Sequence, residues 1–98
     1  MEKRTPHCKL QVVKALIQAG KVSATVSALE GGAALGLGFE DMLDILQALT
    51  VRDFYKSMTT NADHKLWQDV YRPSTLVGEV YLKLMVVDGV LIVSFKEL

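Results

Sequence analysis

The stretch that most constrains the fold is EVYLKLMVVDGVLIVSFKEL, residues 79–98 at the C-terminus. It consists of two alternating apolar runs joined by Asp88-Gly89. This dipeptide favours the two-residue loop of a tight β-hairpin, because both central residues of such a turn need positive φ. The stretch therefore predicts two long antiparallel strands, over about 78–87 and 90–97.

A two-residue loop would pair Val87 with Val90 and so set the register of this hairpin. Counting outward gives three more opposed pairs: Met85 with Ile92, Lys83 with Ser94, and Tyr81 with Lys96. The alternate face is entirely apolar and is predicted to face the core: Val80, Leu82, Leu84, Val86, Leu91, Val93 and Phe95. A cross-strand pair of Tyr81 and Lys96 is therefore predicted on the less buried face.

Helical spacing dominates the first half of the chain. Thr5-Pro6 is typical of a helix start and Gly20 of a helix stop, so a first helix is predicted over about 6–19. The capping-box pattern at Ser27 indicates a short second helix over about 27–35. The segment FEDMLDILQAL predicts a third helix with one apolar stripe: Phe39, Met42, Leu43, Leu46 and Leu49.

After Thr50 the apolar period changes to two, which predicts strands over about 53–60 and 66–72. Lys56 and Gln68 lie at comparable distances from the loop between these strands, so we expect them within a residue or two of facing each other. Strand order, which would decide whether they share a face with the other hairpin's polar residues, stays open. No pattern of parallel crossovers occurs, so the predicted class is α+β: a largely antiparallel sheet with the N-terminal helices packed on one side.

Composition limits the classes of function. The 98 residues suffice for one compact domain, predicted over residues 1–98. Eleven basic residues balance eleven acidic ones, whereas nucleic-acid binders usually carry a basic surplus. No signal peptide or run of about 18 apolar residues is evident, so we expect a cytoplasmic protein. Cys8 is the single cysteine and the two histidines are far apart, so neither a disulfide nor a metal site is predicted.

Four segments carry a family resemblance: DFYKSMTT, DHKLWQDVYRP, VYLK and VLIVSFKE. They closely resemble the motility quorum-sensing regulator toxins, which are bacterial mRNA interferases with a RelE-like fold. The resemblance is strong over residues 53–98 and fainter over residues 1–52. It implies the toxin of a type II toxin–antitoxin system, which cuts mRNA at GCU-type sites with no metal, no cofactor and no need of the ribosome. It also implies a cognate antitoxin with a zinc-binding N-terminal part and a helix-turn-helix C-terminal part, through which alone the toxin would contact DNA.

The resemblance assigns activity to four positions: Lys56, Gln68, Tyr81 and Lys96. Such cleavage needs no outside nucleophile, because the ribose 2′-hydroxyl attacks the neighbouring phosphorus. The lysines and the glutamine suit phosphate binding and charge stabilisation, and Tyr81, with an ammonium opposite it, is the candidate for proton transfer. Tyr55, Arg72 and Lys83 are expected to contribute to RNA binding.

Without the resemblance, these residues have plainer interpretations. Lys56 and Lys96 would be solvated strand lysines that protect a sheet edge, Tyr81 a half-buried strand aromatic and Gln68 a surface residue. The intact set of four favours an endoribonuclease. The neutral charge favours the alternative, a non-catalytic antitoxin-binding module that acts in an autoregulatory DNA-binding complex.

Overall fold

The computed structural model describes residues 1–98 and contains three α-helices and seven β-strands. The helices are α1 (Leu10–Gln18), α2 (Val26–Ala34) and α3 (Phe39–Gln47). The strands are β1 (Glu2–Lys3), β2 (Val22–Ala24), β3 (Phe54–Thr59), β4 (Trp67–Tyr71), β5 (Ser74–Thr75), β6 (Gly78–Val86) and β7 (Val90–Glu97). None of the helices has the length and apolar character to cross a membrane.

The sheet follows the order β1-β3-β4-β6-β7-β2, and β5 pairs with β6 beside this path. All pairs are antiparallel except that of β2 with β7. The helices cover one face, where a single hydrophobic cluster includes buried side chains from all three helices and from the central strands. This arrangement confirms the predicted α+β class and leaves the opposite face of the sheet free of helices.

The first helix begins at Leu10, so the prediction of a start at Thr5-Pro6 was wrong. The reason is a tertiary contact that local patterns do not report. The backbone N–H groups of His7 and Cys8 donate to the carboxylate of Asp69 in β4, at 2.9 and 3.0 Å. Asp69 is buried, and these two bonds hold the segment before α1 against the sheet instead of in a helical turn.

The second helix starts one residue earlier than predicted, and its cap is Thr25 rather than Ser27. The Thr25 hydroxyl accepts a hydrogen bond from the Ala28 N–H at 3.0 Å, as expected of an N-cap threonine. The two glycines in α2 do not end the helix. A Cβ on Gly31 would lie 1.7 Å from the carbonyl oxygen of Phe95, so the bare glycine lets α2 rest directly on β7.

The third helix starts at Phe39 as predicted and ends at Gln47, two residues before the end of the predicted segment. The Asp41 carboxylate accepts a hydrogen bond from the Gly38 N–H at 2.9 Å and so caps the first turn. Of the predicted stripe, Met42, Leu46 and Leu49 are fully buried, and the other two residues pack against the core.

The β6–β7 hairpin has a three-residue loop, Val87–Gly89, in place of the predicted two-residue loop. Asp88 and Gly89 both have positive φ, 58° and 148°, as expected, but Val86 rather than Val87 pairs with Val90. A register shift between Lys83 and Leu84 compensates for the longer loop. The predicted pairs of Lys83 with Ser94 and of Tyr81 with Lys96 are therefore confirmed, and that of Met85 with Ile92 was wrong.

The predicted core face of β7 was wrong near the turn, because of the same register shift. Ile92 is fully buried, whereas Leu91 and Val93 are only partly buried. Because side chains alternate across a strand, a one-residue shift sends each of them to the opposite face. Beyond the shift, Phe95 is buried as predicted.

Candidate active site

Strand order decides which polar side chains share the helix-free face. Three strand pairings align one row of residues across the sheet: Lys56, Val70, Lys83 and Ser94. Tyr81 and Lys96 face each other one row away in β6 and β7. Gln68 is opposite Met58, which places it one row from Lys56 on the other side. We call this surface the cationic face, defined by Lys56, Gln68, Tyr81, Lys83 and Lys96.

The four residues expected to act together do not all touch. Tyr81 and Lys96 form a close pair, with the Lys96 Nζ 5.1 Å from the centre of the tyrosine ring. Neighbouring strands lie about 4.8 Å apart, so the backbone of Lys56 lies about 10 Å from that of Lys83 and about 14 Å from β7. Long side chains span such distances, and a flexible RNA strand covers them more readily than a single small molecule would.

Lys83 lies at the centre of this face. Its Nζ is 6.0 Å from the centre of the Tyr81 ring, and it is half-buried. Burial lowers the pKa of Lys83, and the positive charges of Lys96 and Lys56 lower it further. The sequence predicts RNA binding for Lys83, and the structure places this residue between Lys56 and the pair of Tyr81 and Lys96.

A second group of cations surrounds the ring of Tyr55. A register shift between Phe54 and Lys56 marks a bulge at this residue, and bulges re-aim side chains next to functional sites. The Arg72 guanidinium carbon lies 4.2 Å from the ring centre, the Lys56 Nζ 5.4 Å and the Arg4 guanidinium carbon 5.6 Å. Five of the eleven basic residues thus surround two tyrosine rings, so the neutral net charge conceals a local positive surface.

The ammonium of Lys56 is already engaged. The Glu2 carboxylate binds it at 2.8 Å, which is the only salt bridge in the structure. This contact raises the pKa of Lys56, chiefly through the hydrogen bond, and lowers the pKa of Glu2 for the same reason. Both groups are therefore charged at neutral pH, and the carboxylate is poised at the edge of the cationic face.

Sequence reasoning missed Glu2 and Arg4, because they lie more than fifty positions from the strands that they approach. Glu2 pairs with Met58 and Lys3 with Ser57, which brings the N-terminal segment alongside β3. One local signal was available. Pro6 disfavours a helical conformation of the residue before it, and an extended charged segment of this kind can pair with a sheet edge.

Several other residues are structural. Trp67 stacks on His7 with ring centres 5.6 Å apart, and the Lys3 Nζ lies 4.1 Å from its ring centre, so this ring already has two partners within the chain. Tyr71 is buried and meets Phe54 edge to face. Cys8 packs against the core, and burial raises the pKa of its thiol, with the Asp69 carboxylate adding to the effect. No group of three or more His, Cys, Asp or Glu side chains is arranged to hold a metal ion.

Comparison with known proteins agrees with the resemblance seen in the sequence. Residues 5–97 match the sequence model of the family described as "Motility quorum-sensing regulator, toxin of MqsA". The chain is also 57% identical over 97 residues to the mRNA interferase toxin MqsR of Escherichia coli (strain K12), and the alignment covers 99% of each chain. With the family model matching nearly its whole length, the chain belongs to the motility quorum-sensing regulator toxin family.

Proposed function

We propose that this chain is the toxin of a type II toxin–antitoxin system and acts as a metal-independent endoribonuclease that cuts mRNA at GCU-type sites. Family membership and the name of the E. coli relative, an mRNA interferase toxin, support the reaction class. The observation that carries the proposal is the cationic face, where Tyr81 and Lys96 are directly opposed beside the central Lys83.

The proposed reaction uses the substrate's own nucleophile. The 2′-oxygen forms a bond to the adjacent phosphorus as the bond from phosphorus to the 5′-oxygen breaks. The 2′-hydroxyl gives up its proton and the leaving 5′-oxygen gains one, so the products are a cyclic 2′,3′-phosphate and a 5′-hydroxyl. The protein must align the attack, carry these protons and stabilise negative charge on the phosphorane.

We assign proton transfer to Tyr81, because its hydroxyl can donate a proton and the oxygen that remains can accept one, directly opposite Lys96. The Lys96 and Lys83 ammonium groups lie within 6.0 Å of its ring centre and would balance the negative charge that its oxygen carries during the exchange. Lys56 supplies a positive charge for a phosphate, and Gln68 offers an amide for a phosphate oxygen or a base edge. Tyr55 and Arg72 extend the same surface along the RNA.

The neutral net charge is the observation that favours a non-catalytic, antitoxin-binding module. Local charge weakens that argument, since five cations gather around Tyr55 and Tyr81. RNA responds to the surface that it meets, and an enzyme with a concentrated positive face needs no basic surplus elsewhere.

The proposed partner is a cognate antitoxin with a zinc-binding N-terminal part and a helix-turn-helix C-terminal part. The family description, which pairs these toxins with MqsA, supports an antitoxin. Contact with DNA would come through that antitoxin.

The test is cleavage of a defined mRNA by the purified chain, with and without EDTA and without ribosomes, with cut sites mapped by primer extension. We expect EDTA-resistant cuts at one short motif. These cuts should disappear when the sugar at the cut site lacks its 2′-hydroxyl. Single substitutions of Lys56→Ala, Gln68→Ala, Tyr81→Phe and Lys96→Met should each slow the cutting, and Lys21→Met, far from the cationic face, should not.

Three results would contradict the proposal: cleavage that EDTA abolishes, cleavage that survives the 2′-deoxy substitution, or no cleavage by folded protein with or without ribosomes. Growth arrest on expression without antitoxin, relieved by Lys56→Ala, separates the two candidate functions. A binding module would not arrest growth at good expression.

A further inference from the structure

We propose that the Glu2 carboxylate occupies the place of an RNA phosphate on Lys56 in the free protein, and that RNA must displace it to bind. The inference rests on the proposed function and adds a phosphodiester subsite at the β3 edge of the cationic face. It also names the group that competes for that subsite.

The geometry makes Glu2 a replaceable ligand. Its oxygen lies 2.8 Å from the Lys56 Nζ, while its side chain is 52% exposed. Lys56 is the more enclosed partner, at 19% exposed, and comes from a strand paired on both sides. The sheet holds the lysine in place, whereas the carboxylate can turn into solvent. We therefore expect the carboxylate to leave the lysine when another anion binds.

The surroundings favour a phosphate over any other replacement. Lys56 lies in one row with Lys83, and its Nζ is 5.4 Å from the Tyr55 ring, where Arg4 and Arg72 also gather. A carboxylate is the protein group closest to a phosphate in charge and in hydrogen-bond acceptors. Exposed ion pairs are weak, so a polyanion that contacts several of these cations at once can outcompete one carboxylate.

The test measures RNA affinity separately from cleavage. The probe is an RNA oligonucleotide that contains one GCU and lacks the 2′-hydroxyl at the cut site, so that it binds without being cut. Fluorescence anisotropy with this probe gives the Kd. We expect Glu2→Gln to bind this RNA about two- to fivefold more tightly than the wild-type chain, which is the effect of releasing one exposed ion pair. Raising the salt concentration should shrink the difference, because the competing pair is itself screened.

Two controls isolate the subsite. Glu30→Gln removes the same charge from an exposed position on α2, on the helix-covered side of the sheet, and should leave the Kd within error of the wild-type value. In a Lys56→Met background, adding Glu2→Gln should produce no gain, because the cation for which Glu2 competes is gone.

The inference is overturned if Glu2→Gln binds no tighter than Glu30→Gln, if it binds more weakly, or if its gain persists without Lys56. Weaker binding would mean that Glu2 holds Lys56 in its working position. The two proposals fail differently. A wild-type chain that neither binds nor cuts RNA overturns both, whereas one that cuts RNA while Glu2→Gln changes nothing overturns the competition alone.

Discussion

At the scale of single residues, Lys83 combines a cost in stability with a proposed gain in function. Burial and two neighbouring lysines lower its pKa. Folding therefore disfavours the charged ammonium group, which is the form that would bind an RNA phosphate. We expect Lys83→Met, which keeps the side-chain length, to raise the melting temperature by a few degrees. The same change should weaken binding of uncleavable RNA by about tenfold, the loss of one charge-assisted contact.

The pH dependence of this prediction has a definite sign. Unfolded Lys83 retains its usual pKa of 10.5, above the folded value, so the unfolded state holds more protons between the two values. Wild-type stability should therefore gain relative to Lys83→Met as the pH rises toward 10.5, and the difference in melting temperature should shrink. A difference that grows with pH, in melting curves recorded from neutral to alkaline pH, would contradict this account.

Substitution by phenylalanine should change stability at one tyrosine and cleavage at another. The Tyr71 hydroxyl is buried without a hydrogen-bond partner in the chain, and burial, then the charge of Asp69, raises the pKa of the phenol. Tyr71→Phe should thus raise the free energy of unfolding by up to about 1 kcal/mol and leave cleavage unchanged. Tyr81→Phe should leave stability unchanged and slow cleavage by at least about a hundredfold.

Urea unfolding and single-turnover cleavage measure the two effects independently. Equal losses of activity in the two variants would remove the assignment of proton transfer to Tyr81.

At the scale of elements, the contact of α2 with β7 depends on a missing side chain. Alanine at Gly31 would bring its Cβ to 1.7 Å from the Phe95 carbonyl oxygen, and backbone cannot yield as a flexible side chain can. We expect Gly31→Ala to lower the free energy of unfolding by about 2–3 kcal/mol, although alanine is the better helix former. Thermal or urea unfolding of the purified variant measures this loss.

The neighbouring glycine provides the matched control. A Cβ on Gly32 would meet the sulfur of Met42 at 2.6 Å, which belongs to a flexible side chain and not to backbone. Gly32→Ala should therefore change the free energy of unfolding by less than about 1 kcal/mol. Similar losses at both positions would show that α2 tolerates neither change and that the approach to β7 is not the cause.

At the scale of the whole molecule, the distribution of charge matters more than its sum. The chain is neutral, yet binding to the cationic face should depend strongly on salt. If three to five phosphates are contacted, the slope of log K against log salt should be about −2 to −3.5, at about −0.7 per contact for a single strand. Arg72→Gln should reduce the slope by about 0.7, and Lys21→Gln, with the same change in net charge, should not.

Anisotropy titrations between 50 and 200 mM salt, roughly the range over which such slopes are read, measure this effect. A slope near zero for the wild-type chain would contradict a phosphate-binding face and favour the antitoxin-binding module.

Much of the fold was predictable because its signals are local. The period of two around Asp88-Gly89 reports two strands and a turn, and the stripe from Phe39 to Leu49 reports one buried helix face. One error arose where a distant group replaced a local one, and another where the hairpin loop included one residue more than expected. Asp69 holds the amides of His7 and Cys8, which local pattern assigned to a helix, and a third loop residue moved Leu91 and Ile92 to opposite faces from those expected.

The sequence by itself determined the types of element and the position of the turn, because alternation and turn chemistry act within a few residues. The predicted pairing of Tyr81 with Lys96 holds because a register shift offsets the third residue of the loop. The sequence also indicated the family, through four segments that resemble it. Only the tertiary structure decided that Lys56 and Gln68 share a face with that pair, and that Glu2 and Arg4 reach it. The physical reason is that backbone hydrogen bonds between strands are alike for every residue, so strand order is decided by how the whole chain packs its core.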